Sequence, residues 1–307
     1  MIELIRNPNI DFMAKRKYAF TFSGILSLIG IIAIVQISLG NANLGVDFAG
    51  GTAVQIKFMQ SVPLHQVRLA LEAGGLKDFD LQDLPTENKI LIRVKKQEDK
   101  LGGASELITQ VLSRKFTDKR PVIDSTTEIG PKVGSRLRQA SMWAILVATG
   151  GILLYVALRF QLRFGIGATI ATFHDVLAVL GIFFILHKEI NLILVSALLT
   201  IAGYSLTDTV VVFDRIRENI KRYLKDPVEV IINKSINEVL SRTIVTSLTV
   251  FLSSLALFLF GGEVIHDFAL AMLLGVAVGT YSSVFVASPV VILLGKKGEG
   301  KAAIGVR

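Results

Sequence analysis

Six separated apolar runs, each about as long as a bilayer is thick, constrain this chain more than anything else in it. They occupy residues 19–39, 139–158, 164–186, 192–213, 243–260 and 268–294, and a hydrocarbon core of roughly 30 Å takes about 20 helical residues. Inside lipid each segment has to satisfy its own backbone polar groups, which makes helices of such runs. The chain is 51% hydrophobic and only 19% charged, with the charges gathered between the runs. That balance predicts six membrane helices plus a water-exposed module. Lys15, Arg16 and Lys17 precede the first run, whose length exceeds that of a usual signal-peptide centre, so it reads as an uncleaved helix.

The short loops orient the helices. Arg159 and Arg163 lie between the second and third runs, and Arg215, Arg217, Lys221, Arg222, Lys225 and Lys234 between the fourth and fifth. Lys296, Lys297 and Lys301 follow the last. The loops on the other side, His187–Glu189 and Gly261–Asp267, hold one Lys and no Arg. Positive charge stays in the cytoplasm, so the N-terminus (1–18), the loop 214–242 and the tail 295–307 are expected there, and residues 40–138 outside, in the periplasm of a cell with two membranes. This arrangement also accounts for the formal charge of +8, and no aromatic–basic interleaving points to nucleic acid. The absence of cysteine excludes disulfides and Cys-based metal sites, and neither a P-loop nor a His-rich cluster signals a cofactor.

Residues 40–138 read as an α+β module. Gly51–Phe58 alternates like a strand, and Val62–Ala73 places Leu64, Val67 and Leu71 on one helical face. Phe79–Leu84 and Lys89–Val94 flank the turn-like Pro85-Thr86-Glu87-Asn88. A second helix over Ser105–Phe116 and a last strand over Val122–Ile129 complete the order βαββαβ, which predicts a ferredoxin-like sandwich.

Polar residues inside the membrane are the candidates for chemistry. Asp208 lies in the fourth run, where a carboxylate costs roughly 2.5–3.5 kcal/mol on insertion scales. Desolvation favours its neutral form and a nearby cation its charged form, so it could exchange between them as a proton relay requires. A permanent pairing that holds helices together is the alternative. Tyr204 and Ser205, at i−4 and i−3, share its face. His174 and Asp175 in the third run project about 100° apart and either join this site or fix local packing. In the fifth run Arg242, Thr246, Thr249 and Ser253 form one polar stripe, with Arg242 a fixed cation for Asp208 or a group that snorkels to headgroups. In the sixth, Ala271, Gly275, Gly279, Ser283 and Ala287 recur every fourth residue, a row that lets another helix approach, from this chain or a partner.

Two strings carry a family resemblance. GVDFAGGT (Gly45–Thr52) follows the first run, and GYSLTDTVVVFDRIREN (Gly203–Asn219) leads from the fourth run into the cytoplasmic loop. With one span, an outside module and five further spans, the chain closely resembles the SecF family, the smaller membrane subunits of the SecDF protein-export accessory complex. The resemblance implies a half-transporter related to resistance–nodulation–division (RND) pumps, paired with SecD and drawing on the proton-motive force. It also implies work beside the SecYEG channel and SecA on preproteins, with YajC a further candidate partner. In the family the carboxylate matching Asp208 moves protons, the Arg matching Arg242 is its companion, and the Asp matching Asp47 belongs to a signature near the outer surface. Gly50 and Gly51 are expected to allow a tight bend into the strand, and Gly203 and Tyr204 belong to the second string. One departure is Thr207, where the family commonly has Asn.

Other classes remain to be weighed. An RND-type exporter of lipids or drugs would need larger outside domains. An intramembrane aspartyl protease would need Asp175 and Asp208 to share a proton, and Gly203–Asp208 lacks the GxGD spacing of known examples. A chain that chiefly stabilises its partner would use Asp208 in assembly.

Overall fold

A computed structural model describes residues 9–77, 79–84, 88–94, 103–160 and 162–294. The expected tail 295–307, residues 1–8 and the turn residues Pro85–Glu87 lie outside the described residues. The described chain forms two compact units, one of residues 44–142 and one built from the two flanking segments.

The module of residues 44–142 opens with the short helix α2 (Val46–Ala49) and continues β1 (Gly51–Lys57), α3 (Leu64–Ala73), β2 (Phe79–Leu84), β3 (Lys89–Val94), α4 (Ala104–Lys115) and β4 (Val122–Ile129). The strands lie in the order β2-β3-β1-β4, every neighbouring pair antiparallel, which is the ferredoxin-like arrangement that the βαββαβ order predicts. Alternation explains the layering. Val54 and Ile56 on β1 and Ile90 and Ile92 on β3 share the buried face, against Val67 and Leu71 of α3 and Ile108 and Leu112 of α4. Their neighbours Gln55 and Leu91 point the other way. Between α2 and β1, Gly50 has φ +74°, and a Cβ there would lie 2.8 Å from the Pro131 Cα. Both the left-handed backbone and the crowding exclude larger residues.

The second unit holds α1 (Arg16–Ser38), α6 (Leu162–Ile185), α7 (Leu192–Arg222), α8 (Val228–Phe260), α9 (Glu263–Ser282) and α10 (Ser288–Leu293), together with most of α5 (Pro131–Arg159). Ser283–Ala287, between α9 and α10, is a π-helical turn. Among the described residues six helices are long and apolar enough to span a membrane: α1, α5, α6, α7, α8 and the combined stretch Ile265–Leu293. The helices α6, α7 and α9 are the most buried and form the centre, whereas α1, α5 and α8 turn apolar faces outward. Bilayer-facing apolar surface explains this inversion of the usual soluble pattern.

Small residues set the closest approaches. A Cβ at Gly181 on α6 would lie 2.8 Å from the Gly30 nitrogen on α1, so these helices cross backbone to backbone. On α9, a Cβ at Gly275 would collide with Ile201 of α7, and one at Gly279 would lie 3.1 Å from the Ser205 Cβ. The every-fourth-residue row thus packs on a neighbour in its own chain, and Ala287, at the end of the π turn, meets Gly167 of α6 instead. Beyond the lipid-length runs, α7 and α8 continue as a polar hairpin. Arg215 donates to Glu218 and Glu238 at 2.6 Å each, and Asn219 donates to Glu238 at 2.6 Å and Ser235 at 3.0 Å. The N-terminal stretch docks on the same hairpin, where Asn237 and Asn233 of α8 accept from the Ile10 and Phe12 amides at 3.0 and 2.8 Å.

Candidate functional site

Two buried carboxylates occupy the centre of the helical unit, each ringed by hydroxyl groups. Asp208 on α7 is 6% exposed. The Ser247 hydroxyl of α8 donates to its Oδ2 at 3.3 Å, and the Thr280 hydroxyl of α9 lies 2.7 Å from the Ser247 oxygen. Thr246 and Arg242 of α8 also interact with this carboxylate, but among the described residues no basic nitrogen comes within ion-pair distance of it. Tyr204, one turn earlier on α7, brings its hydroxyl beside Ser247 and Thr280, yet that buried oxygen makes no well-aligned hydrogen bond.

Asp175 on α6 is fully buried. Its Oδ1 is 2.9 Å from His174 Nδ1, and its Oδ2 accepts from Ser205 of α7 and, at 2.8 Å, from Ser282 of α9. The two clusters are separate: neither carboxylate hydrogen-bonds the other. They share their supports, since Ser205 and Asp208 are one turn apart on α7 and Thr280 and Ser282 two residues apart on α9. An apolar groove of about 460 Å³ between α8 and α9 reaches Ser247, Thr280 and Tyr281. Its other walls, such as Phe251, Val276 and Val284, offer water nothing to bond.

The stripe read from the sequence has a particular orientation. Arg242, Thr246, Thr249 and Ser253 are exposed on this chain, and the three hydroxyls donate to carbonyls of their own helix. The buried polar row of α8 is Thr243, Ser247 and Ser254, rotated round the helix. Arg242 and Thr246 border Asp208, while the Thr249 and Ser253 hydroxyls bond the Val245 and Thr249 carbonyls of their own helix. Ser205, expected on the Asp208 face, bonds Asp175 instead. Thr207 folds its hydroxyl back onto the Tyr204 carbonyl at 2.7 Å, so it does not take up a hydrogen bond to Asp208. Asp47 sits half-buried in the first turn of α2, and Gly203 is exposed. Ser247, Thr280 and Ser282 hold the two carboxylates from outside the polar stripe and the Asp208 face read from the sequence. The cluster Thr280-Tyr281-Ser282-Ser283, four polar residues together in an apolar run, was the available signal.

A multi-pass helical core with buried carboxylates in hydroxyl cages, joined to a ferredoxin-like module, defines a membrane transport protein of the SecD/SecF kind. The family model "Protein export membrane protein SecD/SecF, C-terminal" matches residues 109–297, and the SecD/SecF GG motif matches residues 42–62. The protein translocase subunit SecF of Thermodesulfovibrio yellowstonii is 61% identical over 298 residues, covering 96% of this chain and 98% of that one. The SecF of Calditerrivibrio nitroreducens is 43% identical, covering 95% and 97%. A crystal structure of SecDF, a translocon-associated membrane protein from Thermus thermophilus, superposes with a TM-score of 0.82 at 35% identity. The match covers 94% of this chain and 39% of that longer one. The chain belongs to the SecF family of protein translocase subunits.

Proposed function

We propose that this chain, paired with SecD in the cytoplasmic membrane, uses the proton-motive force to promote preprotein movement through the SecYEG channel after SecA-driven insertion, with Asp208 carrying the proton. Both termini lie in the cytoplasm and the ferredoxin-like module outside; YajC is a further partner. One observation carries the reading: Asp208 is a buried carboxylate held by hydroxyl groups of α8, Ser247 with Thr246 beside it, with no ion-pair partner among the described residues. A group used only to clamp helices would be expected in a closed ion pair. Arg242 lies near enough to favour the charged form without locking it. Since the α8–α9 groove is lined mainly by apolar side chains, protons reach Asp208 from the side of Arg242 and Thr246, the exposed face of α8 on which we place SecD. Each charge crossing 100 mV supplies about 2.3 kcal/mol, enough to bias two arrangements of the outside domains. The protease reading lacks support, because proton sharing needs the two carboxylates in contact.

The test is Asp208→Asn in vesicles carrying the complex, with proton flux and export measured together. The expected outcome is loss of proton-dependent stimulation with SecD levels unchanged. Full stimulation would sink the relay, and loss of SecD from the membrane would favour an assembly role.

A further inference from the structure

We propose that the groove between α8 and α9 is a lipid site: one acyl chain of an anionic phospholipid, from the leaflet on the side of the N-terminus, lies along it, and the phosphate sits at Lys15. The site rests on the function proposed above only in placing SecD against the Arg242 face of α8, and it stands whether or not Asp208 relays protons.

Helical geometry gives the groove a direction. Its α8 wall includes Leu240, Ile244 and Phe251. Each lies two positions before a member of the exposed polar stripe, Arg242, Thr246 and Ser253. Two residues turn a helix through about 200°, so the groove opens on the side of α8 opposite to the stripe. A partner seated on Arg242 and Thr246 leaves it uncovered. Leu248 is 44% exposed on the same wall, and Ala277 on the α9 wall is exposed too. Both belong to helices long and apolar enough to span a membrane, so what meets an uncovered groove at this depth is hydrocarbon.

The length and the ends of the groove select one leaflet. From Leu240 to Phe251 α8 rises about 16 Å, half of a hydrocarbon core of roughly 30 Å, which is the reach of an acyl chain from its own headgroup. The Phe12 ring closes the end nearer the N-terminus, edge-on to Phe285 at 5.6 Å between centroids. There the chain turns, with the Lys15 amide donating to the Phe12 carbonyl at 3.2 Å, and this places Lys15 at the mouth. The acids of this corner are already engaged: Asp11 accepts from the Ala14 amide at 3.0 Å and Glu229 from Arg16 at 2.6 Å. Lys15 and Lys17 are exposed and have no ion pair among the described residues. Unpaired lysines beside a membrane helix attract anionic headgroups. The two hydroxyls that line the groove, Ser247 and Thr280, are spent on Asp208, on each other and on the Val276 carbonyl. A chain laid over them therefore loses no hydrogen bond, and it keeps water from the back of the Asp208 cage.

The complex with SecD is to be illuminated in vesicles that contain phosphatidylglycerol or phosphatidylcholine carrying a diazirine midway along one acyl chain, and the labelled peptides read by mass spectrometry. The expected result is labelling of 244–251 and 276–284 well above that of the exposed apolar face of α5 at Leu146 and Leu154, and stronger from phosphatidylglycerol. Ala277→Trp, which fills the groove from α9, should remove the excess, and Leu248→Trp fills it from α8 if the first variant does not accumulate. Lys15→Gln should lower the preference for phosphatidylglycerol about fivefold. Groove labelling no stronger than that of α5, or unchanged by a tryptophan, overturns the site. Equal labelling from both lipids overturns the phosphate at Lys15. A benzophenone in place of Leu248 that captures SecD instead of lipid also overturns the site, and does so without bearing on proton movement at Asp208.

Discussion

Ser247 is the residue on which the Asp208 site turns. It donates to the carboxylate while Thr280 stands behind it, and a hydrogen bond to a charged group is worth about 1.5–3 kcal/mol. Ser247→Ala should therefore lower proton-dependent export about tenfold, since 1.4 kcal/mol is a factor of ten. Thr249→Ala and Ser253→Ala, whose hydroxyls only return to their own helix, should change it by less than about twofold. Export rates in the same vesicles check both expectations. Asp208 itself was legible in the sequence because a carboxylate in an apolar run is costly wherever it points. Its partners were not. Serine and threonine in a membrane helix usually bond their own backbone, so which hydroxyl turns inward depends on the helix's rotation, and that is decided by packing.

At the scale of elements, glycine spacing decides how near α9 comes to α7. Gly275→Leu would drive a side chain into Ile201 and should cost about 1–3 kcal/mol, read as a lowered melting temperature of the detergent-solubilised chain. Gly150→Ala on α5, with nothing within 4 Å of its Cβ position, should instead raise stability by about 0.5–1 kcal/mol, the backbone cost of a mid-helix glycine. The strands were readable because alternation is local: β2 and β3 match their expected ranges. The reach of α7 and α8 past their apolar runs was not, because polar helix in water is held by contacts such as Arg215–Glu238 rather than by periodicity. The second half of the longer signature string finds its physical reason there, in Arg215, Glu218 and Asn219. The π turn at Ser283–Ala287 left no pattern either. It adds a residue to one turn, so the small-residue row that faces α7 before it faces α6 after it.

For the whole molecule, the charge of the short loops makes a topology that can be measured directly. The chain has no cysteine, so a single introduced thiol reports its own side of the membrane. A membrane-impermeant maleimide should label Leu69→Cys, on the exposed face of α3, from outside, and Lys225→Cys, between α7 and α8, only once the cytoplasmic side is opened. Reversed labelling would invert the orientation and with it the direction of proton movement.

The docking of the first residues on α8 has a consequence for how the chain is assembled. Ile10 and its partner Asn237 are 227 positions apart, and the Phe12 ring meets Phe285, further on still. Residues 10–12 are thus placed only after the helices they dock on, more than two hundred positions later in the chain, have been made and inserted. Until then the polar edges of residues 10–13 are satisfied by water alone. A chain stopped before residue 228 should leave this stretch open to proteolysis from the cytoplasmic side, whereas the finished protein should resist. Closure of the N-terminus onto α8 then marks the moment at which the last helices have arrived.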